Sequence, residues 1–221
     1  MIRSVAAVIE VILPVLDESQ ALPVVLDAFP PGYEPLVVDN GSSDGSGEIA
    51  RRLGARVVDE PRRGFGAACF AGLTAATTQL VCFMDCDGSL DPRELPHVSE
   101  PVDGGQAQLC LGARVAQRGA WPLHARAGNR LIAAELRRRS GVPVTDIGPM
   151  RCAAREQLLA LCLRDRGFGW PLEMVLAAAA AGWTVRETPV SYRPRVGGRS
   201  KVSGSLRGTW RATRDMARLL S

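Results

Sequence analysis

The chain has 221 residues, 46% of them hydrophobic and 23% charged. These proportions suit one globular domain with a sizeable core and exclude a disordered chain or two ordinary domains with a linker. The net charge of +4 conceals an asymmetry: residues 1–111 carry 7 basic and 16 acidic side chains, residues 112–221 carry 20 and 7. A basic second half of this kind favours phosphates, nucleic acid or an anionic membrane as partners.

Apolar β-type runs and helical patterns alternate along the first half. Residues 8–13 (VIEVIL) predict a strand and 22–29 a short helix. A second strand is expected over 35–39 (PLVVD), then a Gly/Ser loop, a helix over about 45–53 and a short strand over 56–59. An Ala- and Gly-rich helix follows at 64–77, a buried strand at 80–85 (LVCFMD) and another strand at 108–112. In the second half the pattern predicts helices over about 126–139, 155–163 and 171–181, with a loop at 143–150 carrying Asp146. A final strand is expected over 185–192, then a Gly-rich basic segment over 193–204 and an amphipathic helix over 205–220.

Short apolar strands alternating with helices imply an α/β fold, with a mostly parallel sheet covered by helices on both faces. Such sheets bind ligands at the carboxyl ends of their strands. That is where the pattern puts Asp39, closing the second strand, and Asp85, closing the fourth. No run is long and apolar enough for a membrane span: residues 5–16 are interrupted by Glu10 and Pro14 and carry no signal-peptide cleavage site. The six cysteines form no C-x-x-C pair, and the only histidines are His97 and His124. Reduced core thiols in a cytoplasmic protein are expected, rather than a zinc site or disulfide framework.

Three acidic clusters carry the chemistry. In the segment 83–92 (FMDCDGSLDP), a strand ending in D-x-D would put Asp85 and Asp87 on one side of an extended chain. Two hard oxygen ligands held together suit Mg²⁺ or Mn²⁺, which accepts further oxygens from a diphosphate. In 37–46 (VVDNGSSDGS), Asp39 reaches the sheet edge and can accept hydrogen bonds from a base or a ribose, while Asp44 or Ser46 can cap the next helix. In 13–18 (LPVLDE), Pro14 should end strand pairing and release Glu18 towards a polar ligand.

Taken in order, these clusters resemble the motifs of family-2 glycosyltransferases of the GT-A fold. The resemblance continues through RGFGA (63–67), TDIGPMR (145–151), WPLEM (170–174) and PVSYRPRVGGRSKVSG (189–204), and so spans essentially the whole chain. The last segment looks most like that of the dolichyl- and polyprenyl-phosphate sugar synthases. The resemblance implies one glycosyltransferase domain over 1–221, with a nucleotide-sugar-binding half (1–111) and a basic acceptor-binding half (112–221). It implies that Pro14, Leu16, Glu18, Asp39 and Asp44 surround the nucleotide, that Asp85 meets ribose or metal, and that Asp87 is the main metal ligand. Gly64 and Gly66 would let backbone approach the donor closely.

Arg195, Arg199, Ser200 and Lys201 (the only lysine in the chain) would form a basic flap over the donor diphosphate or acceptor phosphate. Arg114 and Arg126 match arginines that meet the acceptor phosphate. Ser89 stands where the lipid-phosphate synthases tend to carry glutamine.

Many family members carry an E-D pair as base where this chain reads Glu173–Met174. A phosphate acceptor is ionised at neutral pH and needs no strong base. The expectation is therefore inverting transfer of a hexose from a nucleotide sugar to a phosphorylated acceptor such as polyprenyl phosphate, without a nucleic-acid partner. Asp146 or Glu173 would serve as base if the acceptor were a small soluble alcohol or a glycan. A nucleotidyltransferase is a second possibility, although it would place a glycine-rich basic loop after the first strand, where LPVLDE is acidic and lacks glycine. The basic, amphipathic final segment offers peripheral contact with the inner face of a membrane.

Overall fold

The computed structural model describes residues 8–197 together with Arg214. Seven strands form one sheet: β1 (Ile9–Val15), β2 (Tyr33–Asp39), β3 (Arg56–Asp59), β4 (Leu80–Phe83), β5 (Leu109–Ala116), β6 (Met150–Ala154) and β7 (Val185–Tyr192). The helices are α1 (Leu22–Asp27), α2 (Ser46–Arg52), α3 (Phe65–Ala75), α4 (Leu95–Asp103), α5 (Leu123–Ser140), α6 (Arg155–Ala160) and α7 (Trp170–Ala180). The strand order is β3-β2-β1-β4-β6-β5-β7.

All neighbouring pairs are parallel except β4–β6 and β5–β6. Six strands therefore share one direction and β6 alone opposes them. The carboxyl ends of β1, β2, β4, β5 and β7 meet at one edge, together with the start of β6. Everything described below as the site lies along that edge.

Both faces of the sheet are covered, which is why its strands are apolar on both sides. Along β1, Ile12 packs with α3 and α7 residues such as Leu73 and Trp170 on one face. Its neighbours Val11 and Leu13 pack with Leu22 of α1 and with Leu95 and Val98 of α4 on the other. Side chains of this size, fully removed from water, contribute about 1.5–3 kcal/mol each.

The structure corrects four expectations. Pro14 does not end β1: it pairs in register with Val38, and the strand runs on to Val15 opposite Asp39. Strand β4 stops at Phe83, so Asp85 and Asp87 both lie beyond it, Asp87 within the bend over 86–90. Helix α4 and strand β6 were not foreseen. Pro96 and Pro101 interrupt the first, and Arg151 in the middle of the second breaks an apolar pattern. All six cysteines are free, five of them buried.

Candidate active site

Beyond β4 the chain bends over residues 86–90, with Asp85 just before the bend and Asp87 within it. Burial pushes the Asp85 carboxyl up to about 7, the negative charge of Asp87 adds to the effect, and Arg114, Arg151 and Arg195 oppose it. Asp87 is 8% exposed. Its Oδ1 accepts a hydrogen bond from Ser89 N at 2.9 Å, and its Oδ2 lies 3.1 Å from Arg195 Nη1. The same guanidinium donates from Nη2 to Glu18 Oε1 at 2.6 Å.

Residues 193–196 lie along this bend: Arg193 N donates to Ser89 O at 2.8 Å and Val196 N to Asp87 O at 2.9 Å. Arg193 Nη2 adds a bond to Asp91 Oδ2 at 2.9 Å. Glu18, Asp87 and Arg195, distant in sequence, are thereby brought together.

On the neighbouring side, the loops after β1 and β2 are stapled to each other. Asp44 Oδ2 accepts from Ser19 N at 2.9 Å, and its Oδ1 accepts from Ser46 N at 3.0 Å and Ser46 Oγ at 2.5 Å. Burial works against ionisation of Asp44, yet these bonds from Ser46 and Ser19 outweigh it and hold the carboxyl down at about 2. Glu18 N donates to Ser46 Oγ at 2.9 Å. Asp39 Oδ1 accepts from Ser42 N at 2.9 Å, which folds the chain back at the end of β2. A small cleft lined by Asp17, Glu18, Ser19, Gln20, Asp44, Val196 and Gly197 opens between these loops and the 193–197 segment. Pro14 and Leu16, both partly exposed, precede it on β1 and its loop.

One residue of this wall escaped the sequence reading. Asn40 is buried, donates from Nδ2 to Glu60 O at 2.9 Å and Arg62 O at 2.7 Å, and accepts from Gly64 N at 2.8 Å. It ties the end of β2 to the start of α3. Only its place directly after Asp39 signalled it.

Gly64 and Gly66 are both required by a close approach within the chain itself. A Cβ on Gly64 would lie 2.1 Å from Arg166 O; one on Gly66 would lie 2.7 Å from Asp165 O and 2.8 Å from Trp170 Cβ. The backbone that approaches them is this chain's own 165–167 loop. That loop also satisfies the open end of α3: Gly66 N donates to Gly167 O at 2.9 Å and Ala67 N to Arg166 O at 3.0 Å. Glu173 holds the same loop in place. Its Oε1 accepts from Arg164 N at 2.9 Å and its Oε2 from Asp165 N at 2.8 Å.

The third part of the site stands at the end of β5. Arg114 donates from Nε to Asp146 Oδ2 at 2.8 Å and from Nη2 to Asp146 Oδ1 at 2.6 Å. Nη2 also reaches Asn129 Oδ1 on α5 at 3.2 Å. The guanidinium carbon lies 3.8 Å from the ring centroid of Trp121 and 5.4 Å from that of Tyr192. Asp146 is 3% exposed; burial pushes its carboxyl up, but the bonds and charge of Arg114 win and hold it below the usual range. Arg126 is exposed one turn before Asn129 on α5.

Below them Arg151, also buried, donates to the carbonyls of Ile147, Gly148 and Pro171, and burial lowers its guanidinium to about 10. Its role was missed because a lone arginine within a short apolar run carries no distinctive spacing. Arg199, Ser200, Lys201 and the helix expected over 205–220 lie outside the described residues, apart from Arg214.

The pattern of the family described as Glycosyl transferase family 2 matches residues 10–160 of this sequence. The chain belongs to glycosyltransferase family 2. It is 50% identical to an uncharacterised glycosyltransferase of Mycobacterium tuberculosis, over 96% of this chain and 98% of that one. It is 31% identical to the dolichyl-phosphate hexose transferase of Haloferax volcanii, over 85% of this chain and 83% of the relative.

Among solved structures it is similar to glucosyl-3-phosphoglycerate synthase from Mycobacterium tuberculosis in complex with Mn²⁺, uridine diphosphate and glucosyl-3-phosphoglycerate. The TM-score there is 0.76 at 25% identity, covering 97% of this chain and 78% of the neighbour. As a family-2 glycosyltransferase with the GT-A fold, the chain carries its acidic pair beside a cleft at the carboxyl edge of the sheet.

That pair fits a divalent cation in part. Asp85 and Asp87 supply two carboxylates, burial and then the Asp87 charge raising Asp85, and Ser89 Oγ beside them is buried. No group of three or more His, Cys, Asp or Glu side chains able to hold a metal occurs among the described residues. Further ligands would have to be donor or water oxygens.

Proposed function

We propose that this family-2 enzyme is an inverting hexosyltransferase that moves a hexose from a nucleotide sugar to a phosphorylated acceptor, polyprenyl phosphate being the preferred substrate. The observation that carries the reading is the state of its two candidate bases. Asp146 engages both oxygens with Arg114, and Glu173 engages both with backbone N–H groups of the 164–165 segment. An alcohol acceptor needs a base to take its proton; a phosphate oxygen attacks without one and needs only positioning and charge screening.

Asp39, Glu18 and the cleft beside Asp44 would hold the nucleotide, with Pro14 and Leu16 against the base. Arg195, released from Glu18 and Asp87, would turn to the donor diphosphate. Asp85 and Asp87 would hold Mg²⁺ or Mn²⁺, which when bound offsets the charge left on the departing nucleotide. Arg114, with Arg126 near it, would meet the acceptor phosphate; Arg199, Ser200 and Lys201 would add to the flap.

The dolichyl-phosphate relative supports a lipid phosphate, and the neighbour's complex supports a uridine nucleotide with Mn²⁺. The same complex, with a glucosylated phosphoglycerate, favours a second reading in which the acceptor is a small soluble phosphate ester. A lipid acceptor would place the enzyme at the inner face of the membrane as a peripheral protein. No helix among the described residues is long and apolar enough to cross one.

The test is transfer of labelled hexose from UDP- and GDP-sugars, with Mn²⁺, to polyprenyl phosphate, 3-phosphoglycerate and unphosphorylated alcohols. Product on polyprenyl phosphate, lost in Asp87→Ala, is expected. Product on the alcohols alone overturns the reading.

A further inference from the structure

We propose that Asp146 is a positioning residue: it fixes the guanidinium of Arg114 so that its remaining nitrogen, Nη1, is presented to the anionic group of the acceptor. This rests on the phosphorylated-acceptor reading above and assigns the device that would make it work.

The observations form a chain from the core outwards. Arg151, buried among carbonyls, fixes the 147–148 turn by donating to Gly148 O at 2.9 Å from Nε and 2.6 Å from Nη2. Glu187 on β7 fixes the preceding backbone, accepting from Thr145 N at 2.7 Å and Asp146 N at 2.8 Å. Asp146 is held further by Gly148 N at 3.2 Å and meets Arg114 three times, at its backbone N (2.9 Å), Nε and Nη2.

Asn129 caps Nη2 from the helix side, and Trp121 covers the flat face of the guanidinium. A planar group held on one edge and one face has a single orientation. Nη1 makes no hydrogen bond among the described residues, so its two N–H donors are open. Arg114 is close enough for its charge to favour ionised Asp85, and Asp85 in turn favours charged Arg114. A phosphate held by Arg114 would bind within the electrostatic reach of the acidic pair.

The experiment uses Asp146→Asn and Arg114→Lys in the full chain, with inorganic phosphate and farnesyl phosphate as binding probes by calorimetry and polyprenyl phosphate in the transfer assay. Asp146→Asn should weaken binding of both probes and raise the acceptor KM by about 10-fold or more, as expected for loss of charge-assisted bonds. The donor KM and the shape of the pH–rate profile should stay as in the wild type. In an Arg114→Lys background, adding Asp146→Asn should change the acceptor KM by less than about 2-fold, because the two act as a unit.

A fall in kcat with unchanged acceptor KM and a lost acidic limb of the pH profile would instead make Asp146 a base and overturn the proposal. Equal effects on donor and acceptor KM would reduce it to a structural residue, with the same result. If Asp146→Asn fails to fold, Asn129→Leu replaces it: the acceptor KM should rise by roughly 3-fold with the donor KM unchanged, and no change overturns the idea. Transfer to alcohols only, with neither probe bound by the wild type, would sink the phosphorylated-acceptor reading itself. Phosphate binding that is indifferent to Asp146→Asn would sink only the positioning role.

Discussion

The guanidinium of Arg195 bridges Asp87 and Glu18, its Nη1 3.1 Å from Asp87 Oδ2 and its Nη2 2.6 Å from Glu18 Oε1. The side chains of Arg195 and Asp87 are only 22% and 11% exposed, so solvent screens the pair incompletely. A cation approaching Asp87 meets a positive charge already in place. Arg195→Gln should therefore tighten Mn²⁺ binding in the absence of donor by roughly 3- to 10-fold. The same change should weaken binding of the nucleotide sugar by about 10-fold, since a diphosphate contact is lost. Electron paramagnetic resonance titration of Mn²⁺ and calorimetry of the donor would read the two opposite signs; movement in the same direction would refute the account.

Glu173 and Gly66 act on one loop from opposite sides. Removing the carboxylate in Glu173→Ala leaves Arg164 N and Asp165 N without their acceptor and should cost about 1–3 kcal/mol of stability. Gly66→Ala forces its new methyl against Asp165 O and Trp170 Cβ and should cost a similar amount, about 1–3 kcal/mol. Chemical denaturation measures both. The pH–rate profile of Glu173→Gln should keep its wild-type shape; loss of an acidic limb would show that the carboxylate is a base after all.

Asp85 supplies a pH dependence whose sign can be worked out. Its ordinary value is 3.8, and burial with the Asp87 charge raises it to about 7 in the folded chain. The unfolded chain releases this proton first, so stability from Asp85 is full below about pH 4 and is lost as the pH rises through about 7. Asp85→Asn cannot ionise. In EDTA above pH 7 it should melt higher than the wild type, by roughly 2–5 °C, with the gap closing towards pH 4. Scanning calorimetry across that range decides the matter, and a gap that grows on acidification would contradict it.

Some parts of the fold were legible without coordinates, and the reasons are local. The strands Arg56–Asp59 and Val185–Tyr192 fall where the β-type runs predict them. Strand apolarity and alternation with helices state the sheet class, because both faces must be covered. Strand β6 was invisible because its pairing is decided by neighbours, through Cys152 opposite both Cys82 and Cys110, and not by a pattern of its own. The acidic clusters at 37–46 and 83–92 were visible because short spacing alone places them near a strand end.

The partners of those residues were not visible. Arg195 is a basic residue in a glycine-rich segment until β7 carries it back to Asp87 and Glu18. Asp146 and Glu173 read as candidate bases until the tertiary structure engages their oxygens, one pair with Arg114 and the other with a loop that caps α3. By itself the sequence determined the fold class, the family and the acidic side of the cleft, since periodicity and short motifs act over a few residues. Which carboxylates are committed, and which guanidinium nitrogen stays open, only the tertiary structure decided. A hydrogen bond needs its two atoms within about 3 Å, and that proximity between residues many positions apart exists only once the sheet has closed.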